Sequence, residues 1–145
     1  PGRISTYELL DTCVVSELVA RQPNPAVVQW VDRVDESMLF LSAITIGEIK
    51  REIEKLPDSS RKSALNDWLE GDLLFRFRER ILPIDTAVML VWGQLAADLE
   101  MRGRRMPAID SLIAATCLKA KLDLVTHNEV DFVHSGVTVI NPWTR

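Results

Sequence analysis

Short apolar runs alternate along the chain with longer stretches in which apolar residues recur every three or four positions. Apolar runs of about four to eight residues are typical of buried strands, and the recurring spacing is typical of amphipathic helices. The runs predict five strands, at residues 7–10 (YELL), 38–43 (MLFLSA), 80–85 (RILPID), 122–126 (LDLVT) and 137–140 (VTVI). Because each strand is followed by helical spacing or a turn, the pattern favours an α/β fold with a mainly parallel sheet.

The stretches between the strands predict the helices. The first of them is closed by the segment "RQPNP", whose two prolines break the chain, and the alternating stretch Phe75–Arg78 is ambiguous. Helices are expected at residues 12–20 and 26–34, at 46–56, from Ser59 or Ser60 onward, from the cap Thr86 to Gly103 and from Pro107 to Ala120, with a turn or short helix at 129–133.

A chain of 145 residues favours a single domain, which we expect at residues 7–145. Residues 1–6 (PGRIST) follow no amphipathic pattern, and we expect a flexible leader or an expression remnant there. No apolar run approaches the roughly 20 residues that span a bilayer, and no signal-peptide pattern opens the sequence. The expectation is therefore a soluble, cytoplasmic protein without a membrane partner.

The two cysteines, Cys13 and Cys117, lie in apolar contexts and are expected to be small core residues. A zinc site would also need His127 and His134, but the sequence has no CxxC or HxxxH spacing. Structural zinc is therefore not expected.

The net charge of −4 argues against a generally basic nucleic-acid-binding protein. The positive charge is nevertheless clustered, in residues 76–80 (RFRER) and in residues 102–105 (RGRR). These clusters are either solvated surface charges or two basic patches that would suit a polyanion. The sequence leaves both interpretations open.

Three acids occupy places where helices are predicted to begin. Asp11 ends the first strand, Glu48 follows the second strand, and Asp110 follows Pro107. Each has a structural explanation, since Asp11 would cap a helix and Asp110 would complement a helix dipole. Glu48 would close a capping box with Thr45.

Taken together, the three acids indicate more than caps. The carboxyl ends of parallel strands share one edge of a sheet, where ligands bind in folds of this class. Two unit charges about 4 Å apart repel by roughly 4 kcal/mol at an effective dielectric constant of 20, so such a cluster is either partly protonated or binds a cation. Hard oxygen ligands of this kind favour Mg²⁺ or Mn²⁺.

Five segments, read in order, resemble the PIN-domain ribonucleases of the VapC/FitB toxin type. They are "LLDTCVVSE", "LSAITIGEI", "RILPID", "IDSLIAATCLKAKLDLVTHNEVDF" and "VINPW", and they extend over most of the chain. The resemblance implies a three-layer α/β/α arrangement around a five-stranded sheet. It also implies a Mg²⁺- or Mn²⁺-dependent endoribonuclease site, a cognate antitoxin and, commonly, a homodimer.

The resemblance assigns roles to individual residues. Asp11, Glu48 and Asp110 match the three core acids of such sites, with Asp11 and Asp110 as the expected direct metal ligands. Thr12 matches a hydroxyl that supports the site. The expected reaction is metal-assisted hydrolysis of an RNA phosphodiester that leaves 5′-phosphate and 3′-hydroxyl ends, with Glu48 orienting or deprotonating the water.

Two positions depart from the family pattern. Cys13 stands where the family often has Asn, and Asn128 stands where it commonly has a fourth acid. Asn128 can still offer a carbonyl oxygen but brings no charge, and Asp131 is placed to compensate. One firmly bound metal ion is therefore expected more than two.

Other functions fit less well. A phosphoacceptor receiver needs an adjacent acidic pair after its first strand, and a haloacid-dehalogenase-type phosphatase needs Asp-x-Asp there; residues 11–13 (DTC) meet neither requirement. The remaining alternative is a PIN-fold module that binds RNA or an antitoxin with little or no cleavage.

Overall fold

The computed structural model describes residues 7–144, so the leader predicted at residues 1–6 lies outside the described residues. Five strands form one wholly parallel sheet in the order β3-β2-β1-β4-β5. The α/β fold with a five-stranded sheet is thus confirmed. The strands are β1 (Glu8–Leu10), β2 (Leu39–Ser42), β3 (Ile81–Leu82), β4 (Asp123–Val125) and β5 (Val139–Ile140).

The helices connect the strands in chain order. A π-helical stretch, Trp68–Leu73, joins α4 to α5, so one continuous helical rod runs from residue 60 to residue 76 and includes the first half of the ambiguous segment Phe75–Arg78. The helices are α1 (Thr12–Leu18), α2 (Pro25–Arg33), α3 (Ala43–Glu54), α4 (Ser60–Asp67), α5 (Leu74–Arg76), α6 (Thr86–Met101), α7 (Ala108–Ala120) and α8 (Glu129–Phe132).

Successive strand residues point to opposite faces of the sheet and into two separate cores. Leu10 and Val125 face one core, which α1, α2, α3 and the helical rod cover. Leu9 and Leu124 face the other core, which α6, α7 and Phe132 of α8 cover. The strands are mainly apolar because both faces are buried, although β1 and β4 each begin with a buried acid. The result is the expected three-layer α/β/α arrangement.

The predicted strands are longer than the observed ones. The runs at 80–85 and 137–140 form only two paired residues each, because these strands lie at the two edges of the sheet. An edge strand has one neighbour, so its apolar flanks can leave the hydrogen-bonded ladder while still contacting the core.

Most helix starts lie within one residue of the prediction, but α6 and α3 have caps other than the predicted ones. Asp85, rather than Thr86, caps α6 by accepting a hydrogen bond from the backbone N–H of Val88. Ser42 caps α3 by accepting from the N–H of Ile44 at 3.0 Å. The predicted capping box of Thr45 and Glu48 is therefore wrong, because α3 begins at Ala43 and places Glu48 in its second turn.

The strand order reverses next to β1, and this reversal positions the site. The chain runs from β1 outward through β2 to β3, then returns to pair β4 against the other side of β1. Ligand sites in parallel sheets form at such a switch point, beyond the carboxyl ends of the strands. Asp11 follows β1 directly at this point.

None of the helices within residues 7–144 is both long enough and apolar enough to cross a membrane.

The cap at Ser42 gives a stability prediction. Ser42→Ala should lower the free energy of unfolding by about 1 kcal/mol, because the Ile44 N–H loses its acceptor. Glu48→Gln should not lower it, since Glu48 is not part of the cap. Urea denaturation of the metal-free proteins checks both changes, and an equal loss in the two variants would restore the capping-box interpretation.

Candidate metal-binding active site

Asp11 lies at the centre of the site, at the junction of β1 and α1. Its Oδ1 accepts a hydrogen bond from the Thr12 N–H at 2.9 Å, and its Oδ2 accepts from the Thr126 hydroxyl at 2.8 Å. The backbone N–H of Asp11 donates to the Val125 carbonyl at 2.9 Å, which extends the β1–β4 ladder by one residue. The side chain is therefore both the α1 cap and a buried carboxylate, only 8% exposed.

Glu48 lies on α3, the helix that follows β2, and its charge acts on Asp11. The Thr12 hydroxyl donates to Glu48 Oε1 at 2.5 Å and lies 3.0 Å from the Thr45 hydroxyl. Thr45 and Glu48 lie three residues apart on α3, so both point from one face of that helix toward Thr12. Thr12 thus connects the helix that follows β1 to the helix that follows β2.

Asp110 lies in the first turn of α7 and is half-buried. Its pKa is raised from the ordinary value of 3.8 to about 6, first by burial and then by the negative charges of Asp11, Asp131 and Glu48. The structure therefore brings the three predicted acids, from three different elements, into one electrostatic cluster. Asp131 of α8 is a fourth member of it.

Burial also raises the pKa of Asp11, and the charges of Glu48 and Asp131 add to that effect. The hydrogen bonds from Thr126 and Thr12 act in the opposite direction by stabilising the carboxylate. Hydroxyl and amide donors thus orient the Asp11 carboxylate, while the neighbouring carboxylates repel its negative charge. A cation within the cluster would offset this repulsion.

Thr126 is the site residue that the sequence analysis missed. Its hydroxyl donates to Asp11, lies 3.4 Å from the Cys13 sulfur and accepts from the Asn128 N–H at 3.1 Å. Thr126 is fully buried at the end of β4. A single hydroxyl closing the apolar run "LDLV" was the available signal, because a buried polar side chain requires a partner.

Cys13 belongs to the site and not only to the core. Its sulfur accepts from the His127 N–H at 3.5 Å and lies 4.0 Å from Asp11 Oδ2. Burial, the largest cause, raises the pKa of its thiol. Cys117, by contrast, lies on the buried face of α7 in the second core, as the sequence predicted.

The loop after β4 places the two remaining predicted residues. Asn128 is exposed and precedes α8, and its side chain makes no capping hydrogen bond there. Asp131 is exposed on α8, where its charge acts on both Asp11 and Asp110. Asp131 therefore supplies negative charge to the cluster where Asn128 supplies none.

Comparison with known proteins identifies this arrangement. The family model for the PIN domain matches residues 9–135. The chain belongs to the PIN domain family. The resemblance inferred from its motifs is thereby confirmed.

Its relatives extend over nearly the full length of the described fold. Toxin FitB of Neisseria gonorrhoeae is 36% identical over 135 residues, covering 93% of this chain and 97% of that protein. VapC ribonuclease Y4jK of Sinorhizobium fredii is 33% identical over 135 residues, covering 93% and 96%. The crystal structure of FitAcB from Neisseria gonorrhoeae superposes with a TM-score of 0.90 at 36% identity, covering 94% of this chain and 99% of the matched one.

The donors of this PIN domain suit a hard divalent cation. Asp11, Glu48 and Asp110 offer carboxylate oxygens, and Asn128 offers a carbonyl oxygen. Among residues 7–144, however, no three His, Cys, Asp or Glu side chains are already gathered closely enough to hold an ion alone. An ion that keeps several of its own waters, as Mg²⁺ does, fits such an open set of donors.

Neither histidine side chain makes a hydrogen bond to a carboxylate of the site within residues 7–144. His127 is exposed and stacks on Trp143, with ring centroids 4.3 Å apart and planes 7° from parallel. His134 is exposed beyond α8. No histidine contacts Asp11 or Glu48 among the hydrogen bonds of residues 7–144, so the arrangement offers no imidazole acid–base pair.

The raised pKa of Asp110 predicts a pH-dependent stability. Between about pH 4 and pH 6 folded Asp110 keeps a proton that unfolded Asp110 has lost, so this group's contribution to stability falls as the pH rises through that window. Asp110→Asn should remove this dependence and stabilise the metal-free protein, relative to wild type, increasingly toward neutral pH. Urea denaturation in EDTA from about pH 4 to about pH 7 measures it.

Asp72→Asn, which changes an exposed carboxylate outside the site, is the matched control and should track wild type. Parallel stability curves for Asp110→Asn and wild type would contradict the electrostatic coupling of Asp110 to the cluster.

Proposed function

We propose that this PIN-domain protein is a divalent-metal-dependent endoribonuclease and the toxin of a toxin–antitoxin module. The observation that carries the proposal is the convergence of Asp11, Glu48 and Asp110 on the switch point of the sheet, where their charges oppose one another. Kinship to a protein named as a toxin and to one named as a ribonuclease, each over more than nine-tenths of this chain, supports it.

Asp11 and Asp110 are the proposed direct ligands of Mg²⁺ or Mn²⁺. Asp11 is fixed in orientation by Thr126 and Thr12, which suits a ligand that must hold its position. Held by these two carboxylates, the cation would supply positive charge for the phosphate oxygens and would make a nearby water more acidic. Asn128 and Asp131 support the site at its open side.

Glu48 is the proposed residue that orients the attacking water and accepts its proton. Its Oε1 accepts from Thr12, which leaves Oε2 able to accept from a water in the cluster. Half-burial keeps this carboxylate accessible to solvent and substrate. Thr12 thereby positions Glu48 relative to Asp11, and attack in line with the leaving 3′-oxygen would leave 5′-phosphate and 3′-hydroxyl ends.

As a toxin that cleaves RNA, the protein would act in the cytoplasm, where it would meet both its RNA substrate and its antitoxin. We propose that a cognate antitoxin covers apolar surface near the site and inserts an Arg or Lys among the carboxylates, where it would replace the metal. A groove of about 280 Å³ beside α3, the helix that carries Glu48, offers apolar surface. Its apolar lining includes Val19, Ile49, Ile53, Leu65 and Trp68.

The proposed nuclease activity is tested by cleavage of total RNA with Mn²⁺ or Mg²⁺ present and absent. Asp11→Asn should abolish cleavage, because it removes a ligand charge. Glu48→Gln should slow cleavage by about 10²- to 10⁴-fold, the typical contribution of a general base. Product ends are assayed by labelling, and Asp72→Asn is the matched carboxylate control, expected to retain full activity.

A second readout does not depend on turnover. Mn²⁺ should raise the thermal stability of wild type and of Asp72→Asn but not of Asp11→Asn, because only an intact site binds the ion. Metal-dependent stabilisation without cleavage of any RNA would favour the alternative, a PIN module that binds RNA or an antitoxin without cutting. Stabilisation that survives in Asp11→Asn would contradict the ligand assignment.

The proposed homodimer rests on an exposed apolar stripe of α6. Leu90, Ala97 and Met101 recur at helical spacing on one face, and Leu90 and Met101 are 69% and 82% exposed. Wild type should run as a dimer in light scattering at micromolar concentration, and Leu90→Glu should run as a monomer with unchanged circular dichroism. A monodisperse wild-type monomer would contradict the dimer.

A further inference from the structure

The arginines of the two basic clusters differ in what they contact. Arg76 and Arg80 both pair with Glu36, and Arg80 also donates to the carbonyls of Glu36 and Leu39. These contacts tie the helical rod to the start of β2, so two of the three arginines at residues 76–80 serve the fold. Arg78 has no acidic partner among residues 7–144, but its guanidinium lies over a phenylalanine ring of the same segment, 4.2 Å from the centroid.

In the second cluster, Arg102 is similarly engaged. It pairs with Asp98 at 2.7 Å and donates to the His134 carbonyl at 3.1 Å, which joins the end of α6 to the segment after α8. Arg104 and Arg105 are exposed, and neither forms a side-chain ion pair or hydrogen bond with another residue of the described chain, 7–144. Two uncompensated guanidinium groups therefore follow one another in an acidic protein.

Arg104 and Arg105 line a cavity of about 320 Å³ between the α6–α7 connection and α8. The other lining residues include Pro107, Asp131 and His134. This cavity adjoins the carboxylate cluster: Pro107 immediately precedes α7, which carries Asp110 in its first turn, and Asp131 acts electrostatically on both Asp110 and Asp11. The two arginines thus lie beside the metal-binding edge.

An RNA strand at this edge meets opposed charges. A cation would neutralise the scissile phosphate, but the adjacent phosphates of the strand carry their own charges toward Asp131 and a body of net charge −4. Cationic side chains placed next to the acids would offset that repulsion, and guanidinium groups bind phosphate oxygens through two parallel hydrogen bonds.

We propose that the cavity of Arg104 and Arg105 binds a phosphodiester flanking the scissile one in single-stranded RNA, and so positions the strand over the carboxylates. This inference rests on the proposed ribonuclease function and names a binding subsite for its substrate. The contact is to the backbone and is independent of base sequence. Arg104 and Arg105 are positioning residues, because they act on a phosphate that does not react.

Arg105 also lines a second, smaller cavity, which lies between α6 and α7. This cavity has a volume of about 260 Å³, and Glu100 and Trp92 belong to its lining. Arg104 lines only the first of these two cavities. The single variants therefore separate phosphate binding, which involves Arg104, from packing between the two helices, which involves only Arg105.

The test measures RNA binding in EDTA, so that neither metal nor turnover enters. The probe is a fluorescein-labelled oligouridylate of about 12 nucleotides, followed by anisotropy across a range of salt concentrations. Arg104→Gln/Arg105→Gln is compared with Arg33→Gln/Lys119→Gln, which makes the same change in net charge. Arg33 and Lys119 are exposed and end α2 and α7, which lead to the opposite, amino-terminal edge of the sheet.

The arginine double variant should bind on the order of 5-fold more weakly than wild type at 0.1 M salt, since the one lost phosphate contact on a single strand contributes about 0.7 to the salt slope. Its slope should fall by about 0.7. Arg104→Gln alone should give a smaller loss in the same direction, and cleavage with Mn²⁺ should show a raised KM.

Three other outcomes have distinct meanings. Equal binding and salt slopes for the two double variants would overturn the subsite while leaving metal-dependent cleavage by wild type intact. A loss confined to Arg105→Gln and accompanied by lowered thermal stability would assign that residue to packing and overturn the subsite as well. If wild type neither binds nor cleaves RNA, the proposed function fails first, and the subsite fails with it.

Discussion

The hydrogen bond from Thr126 to Asp11 joins the two strands on which the whole arrangement depends. β1 and β4 are far apart in sequence, and their pairing in parallel brings a buried hydroxyl and a buried carboxylate to the same edge of the sheet. Thr12 continues the connection to Glu48 on α3. Because each polar group in this chain of contacts is partnered, the carboxylates can be buried and still keep fixed orientations.

In the carboxylate cluster, the stability of the metal-free protein and the binding of a cation place opposite demands on the same side chains. Burial first, and then the closeness of Asp11, Glu48, Asp110 and Asp131 to one another, raises the pKa of both Asp11 and Asp110, so the folded metal-free protein opposes the ionisation of these groups. Residues selected for stability alone would not be gathered in this way. Strain of this electrostatic kind is typical of sites whose resting charge is balanced by a ligand.

Much of the fold followed from the sequence because its signals are local and repeated. The strands alternate between two buried faces, so every run is mainly apolar, and the helices between them have clear spacing. The three central acids could be found because each occupies a predicted junction. The lengths of β3 and β5 could not, since edge position is a property of the sheet order and not of the runs themselves.

The missed features share a physical reason. Thr126 belongs to the site only because β4 pairs with β1, a contact between distant parts of the chain. The mistaken capping box arose because "SAIT" contains two hydroxyl residues, Ser42 and Thr45. Which of them caps α3 depends on the residue at which β2 ends. Likewise, the two arginine clusters differ in which of their arginines pair with an acid, Glu36 in the first cluster and Asp98 in the second. That difference depends on the folded arrangement.

The direct passage from β2 into α3 has a consequence for how the family can vary. Ser42 is both the last residue of the strand and the cap of the helix, so no loop separates them. Each residue of an α-helix advances about 1.5 Å and turns by about 100°. An insertion or deletion of one residue here would therefore rotate Glu48 away from Thr12, and length changes in this protein's lineage should be confined to segments such as the one between α1 and α2.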